Sequence, residues 1–95
     1  MDIFDWLADW YKSCCNGDWE HSYGIEINTL DNPGWSVQIN LENTTLEGKA
    51  FNKIKIDTSD KDWIFCYVEN NRFKGASDLY KLKEIIKIFK IWAEE

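Results

Sequence analysis

Two runs of alternating apolar and polar residues, separated by Asp31-Asn32-Pro33-Gly34, constrain this chain more than any other feature. In residues 22–30, Tyr23, Ile25 and Ile27 share one parity, and Ser22, Gly24, Glu26 and Asn28 the other. In residues 35–42, Trp35, Val37, Ile39 and Leu41 alternate with Ser36, Gln38, Asn40 and Glu42. A period of two puts successive side chains on opposite faces, so both runs read as half-buried strands. The four residues between them carry turn chemistry. Pro33 presets φ at the first central position, and Gly34 supplies φ > 0 at the second, which defines a type II turn. Asn32, Pro33 and Gly34 are therefore assigned a structural role.

The remaining chain follows the same logic. Ile54 and Ile56 alternate with Lys53, Lys55 and Asp57, giving a third short strand. Residues 63–69, WIFCYVE, are apolar on both parities, as in a strand that is central or covered on both sides. Asn70-Asn71 suits a tight turn into a short strand around Arg72-Phe73-Lys74, which Gly75 is expected to end. Residues 43–50 read as a polar loop. In residues 3–14, Ile3, Leu7, Trp10 and Cys14 recur at helical spacing, while Asp2, Asp5 and Asp9 fall opposite. Asn16-Gly17 is the stop signal. Ser77 or Asp78 is expected to cap a final helix of about 16 residues with Leu79, Leu82, Ile85, Ile86, Phe89, Trp92 and Ala93 as its core stripe. Tyr80, Ile88 and Ile91 lie off that stripe and suggest a second packing contact. The order is helix, four or five strands, helix. Short connections favour an antiparallel meander with the C-terminal helix packed on the sheet, an α+β fold.

The sequence of 95 residues makes a single domain, 1–95. Its formal charge of −6 is uneven: residues 1–35 hold seven acids and one Lys, whereas residues 71–95 hold six bases and four acids. Such a balance repels phosphate, which argues against nucleic acid and suits a basic protein partner. The longest apolar run, residues 63–68, is far short of the roughly 20 residues of a membrane helix, so no membrane partner is expected. Cys14, Cys15 and Cys66 are odd in number and two are adjacent, which fits a reducing compartment better than a disulfide framework. The N-terminal MDIFDWLADW carries three Asp and no basic region, unlike a signal peptide. A cytoplasmic protein is expected.

Costly chemistry concentrates in residues 17–35. Asp18, Glu20 and His21 resemble metal ligands or an acid–base set. The chain has only one His and no paired-Cys motif, however. Adjacent Glu20 and His21 on an extended segment would also point to opposite sides. Cys14 or Cys15 beside His21 lacks an arranged oxyanion hole. No cofactor and no metal are expected. Trp35 shares the parity of Val37 and belongs to the core. Trp19 admits two readings, a plug at the sheet edge or a surface anchor of the kind found at binding hot spots. His21 reads as a hydrogen-bonded structural residue in preference to a ligand.

Residues 6–41 (WLADWYKSCCNGDWEHSYGIEINTLDNPGWSVQINL), residues 62–76 (DWIFCYVENNRFKGA) and residues 88–95 (IFKIWAEE) together resemble the immunity protein 53 family of bacterial polymorphic toxin systems. The resemblance implies a protein that binds a cognate toxin and blocks it, with no catalytic activity of its own. The resemblance does not identify the contacting residues. The density of acids before the hairpin makes Asp18, Glu20 and Asp31 the candidates for an acidic rim that Asp5 and Asp9 extend, with Trp19 as a candidate anchor and His21 beside it. The toxin is then a basic protein, such as a nuclease, and the inhibitor a monomer. The alternative is a small metal-dependent hydrolase using Asp18, Glu20 and His21. A scaffold with no toxin partner is a third reading.

Overall fold

The computed structural model describes residues 1–95. Helix α1 (Ile3–Cys14) is followed by a single helical turn, α2 (Trp19–Ser22). Five strands come next: β1 (Ile25–Leu30), β2 (Gly34–Asn40), β3 (Ile54–Ser59), β4 (Asp62–Glu69) and β5 (Arg72–Ser77). Helix α3 (Leu82–Glu94) closes the chain order. All pairings are antiparallel, and the arrangement is α+β as expected. Spatial order and chain order part once: the sheet runs β1-β2-β5-β4-β3. After β2 the chain crosses to the far edge through residues 41–53 and then builds inward. The closing seam pairs Ile39 with Phe73, and Leu41 N–H donates to Asn71 O at 2.8 Å just beyond it.

Register decides which face is buried. Val37 and Ile39 lie level with Gly75 and Phe73, and those with Cys66 and Val68. All but Val68 are fully buried, and Val68 packs against the same cluster. On this face α3 lays Ile85, Ile86, Phe89 and Trp92, the i, i+1, i+4 and i+7 positions of an amphipathic helix. Gly75 does not end β5. It is a buried mid-strand residue, and a Cβ there would collide with Ile85 Cγ2, so its missing side chain is the seat of α3. Leu7 of α1 joins the same cluster, with Ile3, Trp6 and Trp10 against it. Asp2 caps α1: its Oδ1 accepts from Phe4 N–H at 2.8 Å and Asp5 N–H at 3.3 Å.

Opposite parity places Trp63, Phe65 and Tyr67 of β4 on the outer face, half-buried. The strand is internal to the sheet, but only its inner side is packed by a helix. Lysine stems shield the rings instead, with Lys53 Nζ 5.8 Å from the Phe65 centre and Lys74 Nζ 5.9 Å from that of Tyr67.

The C-terminal helix is shorter than its periodicity suggests. It begins at Leu82 and runs 13 residues. Asp78 is buried but serves as a tether, not a helix cap. Its carboxylate accepts from Trp63 N–H and Tyr80 N–H, both at 2.9 Å, and pairs with Lys81, which also reaches Asp62 at 2.7 Å. The tether holds residues 78–81 in a turn against β4. Leu79 and Tyr80 consequently fall outside the helix and are exposed. The expected second packing contact is reduced to Ile88, since Tyr80 and Ile91 are 88% and 64% exposed. The 41–53 crossover buries Leu46 and holds the end of α3: Lys49 Nζ donates to Trp92 O at 2.7 Å, and Trp92 Nε1 donates to Ala50 O at 2.7 Å.

Asn70 and Asn71, at φ +54° and +57°, make the tight turn as expected. The other hairpin differs from expectation. Leu30 pairs with Gly34, so the loop is Asp31-Asn32-Pro33 with a cis Asn32–Pro33 peptide, and Gly34 is the first residue of β2. Gly34 does not occupy the positive-φ region, so the turn is not type II. Glycine is required for a different reason: a Cβ at position 34 would overlap the Ser77 carbonyl.

Gly34→Ala should therefore cost about 1–3 kcal/mol, the usual range for overpacking against an unyielding neighbour. Urea unfolding of the variant would show this as a lowered midpoint. A second expectation concerns acid. Burial alone would raise the Asp78 carboxyl, but hydrogen bonds from Lys81, Tyr80 and Trp63 outweigh it and hold the group below 3.8. A carboxyl with a depressed folded value adds stability above its unfolded value and loses it as pH falls through the folded one. The stability gap between wild type and Asp78→Asn should thus be full above about pH 5 and shrink on acidification. Unfolding curves at a series of pH values, parallel for the two proteins, would contradict this.

Candidate functional site

The stretch from Asn16 to Tyr23 is built by reciprocal capping. Gly17, at φ +96°, turns the chain out of α1. Asn16 Oδ1 then accepts from Asp18 N–H and Trp19 N–H, each at 2.9 Å. The Glu20 carboxylate reaches back to Asn16 N–H at 3.0 Å and Gly17 N–H at 2.9 Å. Four otherwise unpaired donors are satisfied within five residues, as in a capping box. Hydrogen bonds from backbone N–H groups, its own first and then those of Asn16 and Gly17, keep the Glu20 carboxyl below 4.5 against the opposing effect of burial, with the His21 charge adding to them.

Residues 19–22 are thus one helical turn, not the extended segment expected from the alternation that follows. Trp19 is 3% exposed. Its indole N–H donates to Glu42 O at 2.7 Å, and its ring meets Tyr11, Tyr23 and Trp10 at 5.8, 6.1 and 6.3 Å between centres. Of the two readings of Trp19, the plug is the observed one, and its ring presents no surface anchor. Glu20 is committed to backbone donors, which leaves Asp18 and His21 exposed in this turn.

Asp5 and Asp9 are exposed on α1, one helical turn apart. Asp31 is exposed too, but it lies at the far end of six-residue β1, about 20 Å from the α2 end at the usual strand rise. The structure therefore does not gather the five expected acids into one rim. Asp5 and Asp9 lie along α1, Asp5 about 14 Å by helix rise from the end at Cys14. Asp18 is exposed in the turn that follows, Glu20 is tied beneath it, and Asp31 stands apart.

Nor do Asp18, Glu20 and His21 converge. No group of three or more His, Cys, Asp or Glu side chains is arranged to hold a metal ion, and the hydrolase alternative lacks its centre. Cys15 Sγ bonds to Tyr11 O at 3.3 Å, not to His21. Burial raises the Cys14 thiol and pushes Cys66 up to about 12, which keeps both protonated and poor as nucleophiles.

Alongside α1 lies a feature that the sequence reading missed. α1 and the start of β1 are separated by an apolar groove of about 480 Å³, with Phe4, Ala8 and Tyr11 on one wall and Tyr23 and Ile25 on the other. Phe4, Ala8 and Tyr11 recur at i, i+4 and i+7, so the signal was present as a second stripe on α1. It was masked because Ile3, Leu7, Trp10 and Cys14 already accounted for the helix.

A family model described as Immunity protein 53 matches residues 4–94. The chain belongs to the immunity protein 53 family. No curated protein and no solved structure matches it. The match to this immunity family covers every helix and strand almost completely, so the capping box, Trp19 and the groove all lie within it.

Trp19→Ala tests the structural assignment. Losing a buried Trp costs about 3–5 kcal/mol, a large part of the stability of a small domain. The variant should unfold at a much lower denaturant concentration than wild type, or be unfolded outright. A near-native midpoint would mean that the ring is not part of the core.

Proposed function

We propose that this chain is a monomeric, cytoplasmic immunity-type domain, residues 1–95, that neutralises a protein toxin by stoichiometric occlusion through its acidic α1–α2 region. The family match over residues 4–94 carries the reading, because it assigns an immunity role and with it a toxin partner. The side chains support it: no metal-holding cluster is present, and the thiols and the single His form no hydrogen-bonded catalytic set. Three unpaired cysteines agree with a reducing compartment, and no helix is long and apolar enough to cross a membrane.

The charge distribution points to the kind of target. Seven acids against one Lys in residues 1–35 produce a negative field around α1, α2 and β1. Such a field steers a basic partner and raises its association rate. A nuclease, whose substrate site is basic, is the target class that fits. In such a complex the carboxylates of Asp5, Asp9 and Asp18 stand in for substrate phosphates.

Occlusion is tested by identifying the toxin in a pull-down with the products of adjacent genes and titrating it with purified protein. Activity should fall linearly and vanish near one equivalent. Complete neutralisation by a small fraction of an equivalent would mean turnover, and the reading would fail. A triple variant, Asp5→Asn with Asp9→Asn and Asp18→Asn, should slow association at low salt. The difference should shrink once ionic strength brings the Debye length to about 8 Å. Unchanged association kinetics at low salt would place the contact on another surface.

A further inference from the structure

The two edges of the sheet are not equivalent. β3 is guarded: Lys55 lies on it, Lys53 precedes it, and its pairing is broken by a bulge between Asp57 and Ser59. Charged residues and bulges are the devices that keep a strand edge from pairing with another chain. β1 has no Lys and no bulge, and it pairs with β2 in unbroken register from Ile25 to Leu30. Asn40 N–H donates to Gly24 O at 3.0 Å, which marks Gly24 and Asn40 as a hydrogen-bonded pair. Antiparallel alternation then makes Glu26, Asn28 and Leu30 bond to β2. Ile25, Ile27 and Thr29 are left with N–H and C=O directed outward, away from the sheet. Leu41 N–H to Asn71 O on the other side of β2 obeys the same alternation. Residues 26–29 are exposed, with Ile27 at 39%.

The groove lies against this free edge. Phe4, Ala8 and Tyr11 form its far wall, and Ile25 of β1 its near one. A strand added to β1 would place alternate side chains over the groove and the others beside Glu26 on the outer face. Charge selects the occupant. The groove lining itself is uncharged, Glu26 borders the outer face of β1, and the whole of residues 1–35 holds seven acids against Lys12 as its only Lys or Arg. A second copy would set these carboxylates against their equivalents, whereas a basic segment would neutralise them.

We propose that the β1 edge and its groove accept an extended segment of a protein partner, with apolar and basic residues alternating, as a sixth strand of the sheet. This rests on the reading of the chain as a toxin-binding protein and names the contact. Main-chain hydrogen bonds supply affinity in this mode, and the groove supplies side-chain preference.

The test uses the full chain, isotope-labelled, and a capped octapeptide of alternating Lys and Val. Amide signals of Ile25, Ile27 and Thr29 should shift and exchange more slowly, and a Glu–Val counterpart should leave them unmoved. Two variants follow. Ile27→Pro removes an outward N–H that the fold itself does not use, a substitution that edge strands tolerate. Ala8→Arg fills the groove from an exposed helix position without a helix penalty of note. Each should keep the wild-type circular dichroism spectrum and weaken both the peptide and the toxin by about tenfold or more, the equivalent of about 1.4 kcal/mol. The inference is overturned by absence of shifts at about millimolar peptide. Shifts confined to β3, equal binding of the Glu–Val peptide, or undiminished toxin binding in both folded variants would overturn it as well. Undiminished toxin binding in the variants leaves the immunity reading intact. A peptide that docks on β1 in a protein that binds no toxin has the opposite meaning, sparing the edge site and removing the function.

Discussion

The Phe89 ring is where the structure is joined. It lies 5.0 Å from Trp10 and 5.9 Å from Trp6 of α1, 5.1 Å from Phe73 of β5, and 6.1 Å from Trp92 on its own helix. The Trp10 contact is a perpendicular edge-to-face arrangement. Each such contact adds about 0.5–1.5 kcal/mol to the area that the rings bury. The helix that carries Phe89 sits on Gly75, where the lack of a Cβ lets Ile85 approach the sheet. α1 in turn rests chiefly on α3. Because α1 is held from the α3 side, its other flank is not pressed onto β1. The groove is the space that this mode of support leaves open.

Three indole N–H groups fasten the irregular segments to this core. Trp19 holds Glu42 O at the start of the crossover, Trp92 holds Ala50 O near its end, and Trp35 holds Leu79 O at 2.9 Å in the turn before α3. Each carbonyl lies 23 or more residues from its donor, so these bonds specify tertiary arrangement, not local conformation. A rigid scaffold of this kind suits a binding protein, since little ordering entropy remains to be lost when a partner docks.

The alternation through Val37 and Ile39 made β2 and its buried face legible from the residues alone, and the helical spacing of Leu7 and Trp10 did the same for α1. Trp35, of the same parity as Val37, is only half-buried and lies outside the core it was expected to join. Misreadings came where one residue type serves two purposes. Asp78 has the chemistry of a helix cap, and only the arrival of Trp63 and Lys81 makes it a tether. Gly75 has the look of a stop, and only Ile85 makes it a seat. Gly34 was recognised as indispensable but for its φ, because the approach of Ser77 O is invisible until β2 and β5 are paired. For the site, the density of acids in residues 1–35 was legible. That Trp19 is buried, that Glu20 closes a capping box and that Asp31 is a strand length away depend on the path of the chain between them. The free edge of β1 was beyond reach for the same reason: strand order, not strand propensity, makes an edge.

The asymmetry between the two edges also bears on how the protein behaves in concentrated solution. Lysines and a bulge protect β3 by their own structure at any ordinary pH, whereas β1 relies on the repulsion between carboxylates of separate molecules. That repulsion is a property of the solvent as much as of the fold. With a sequence pI near 4.7, it fades in mild acid, and added salt screens it. Colloidal stability therefore has a weak side, and the first contact between molecules on acidification is expected at β1, while the fold itself is still intact.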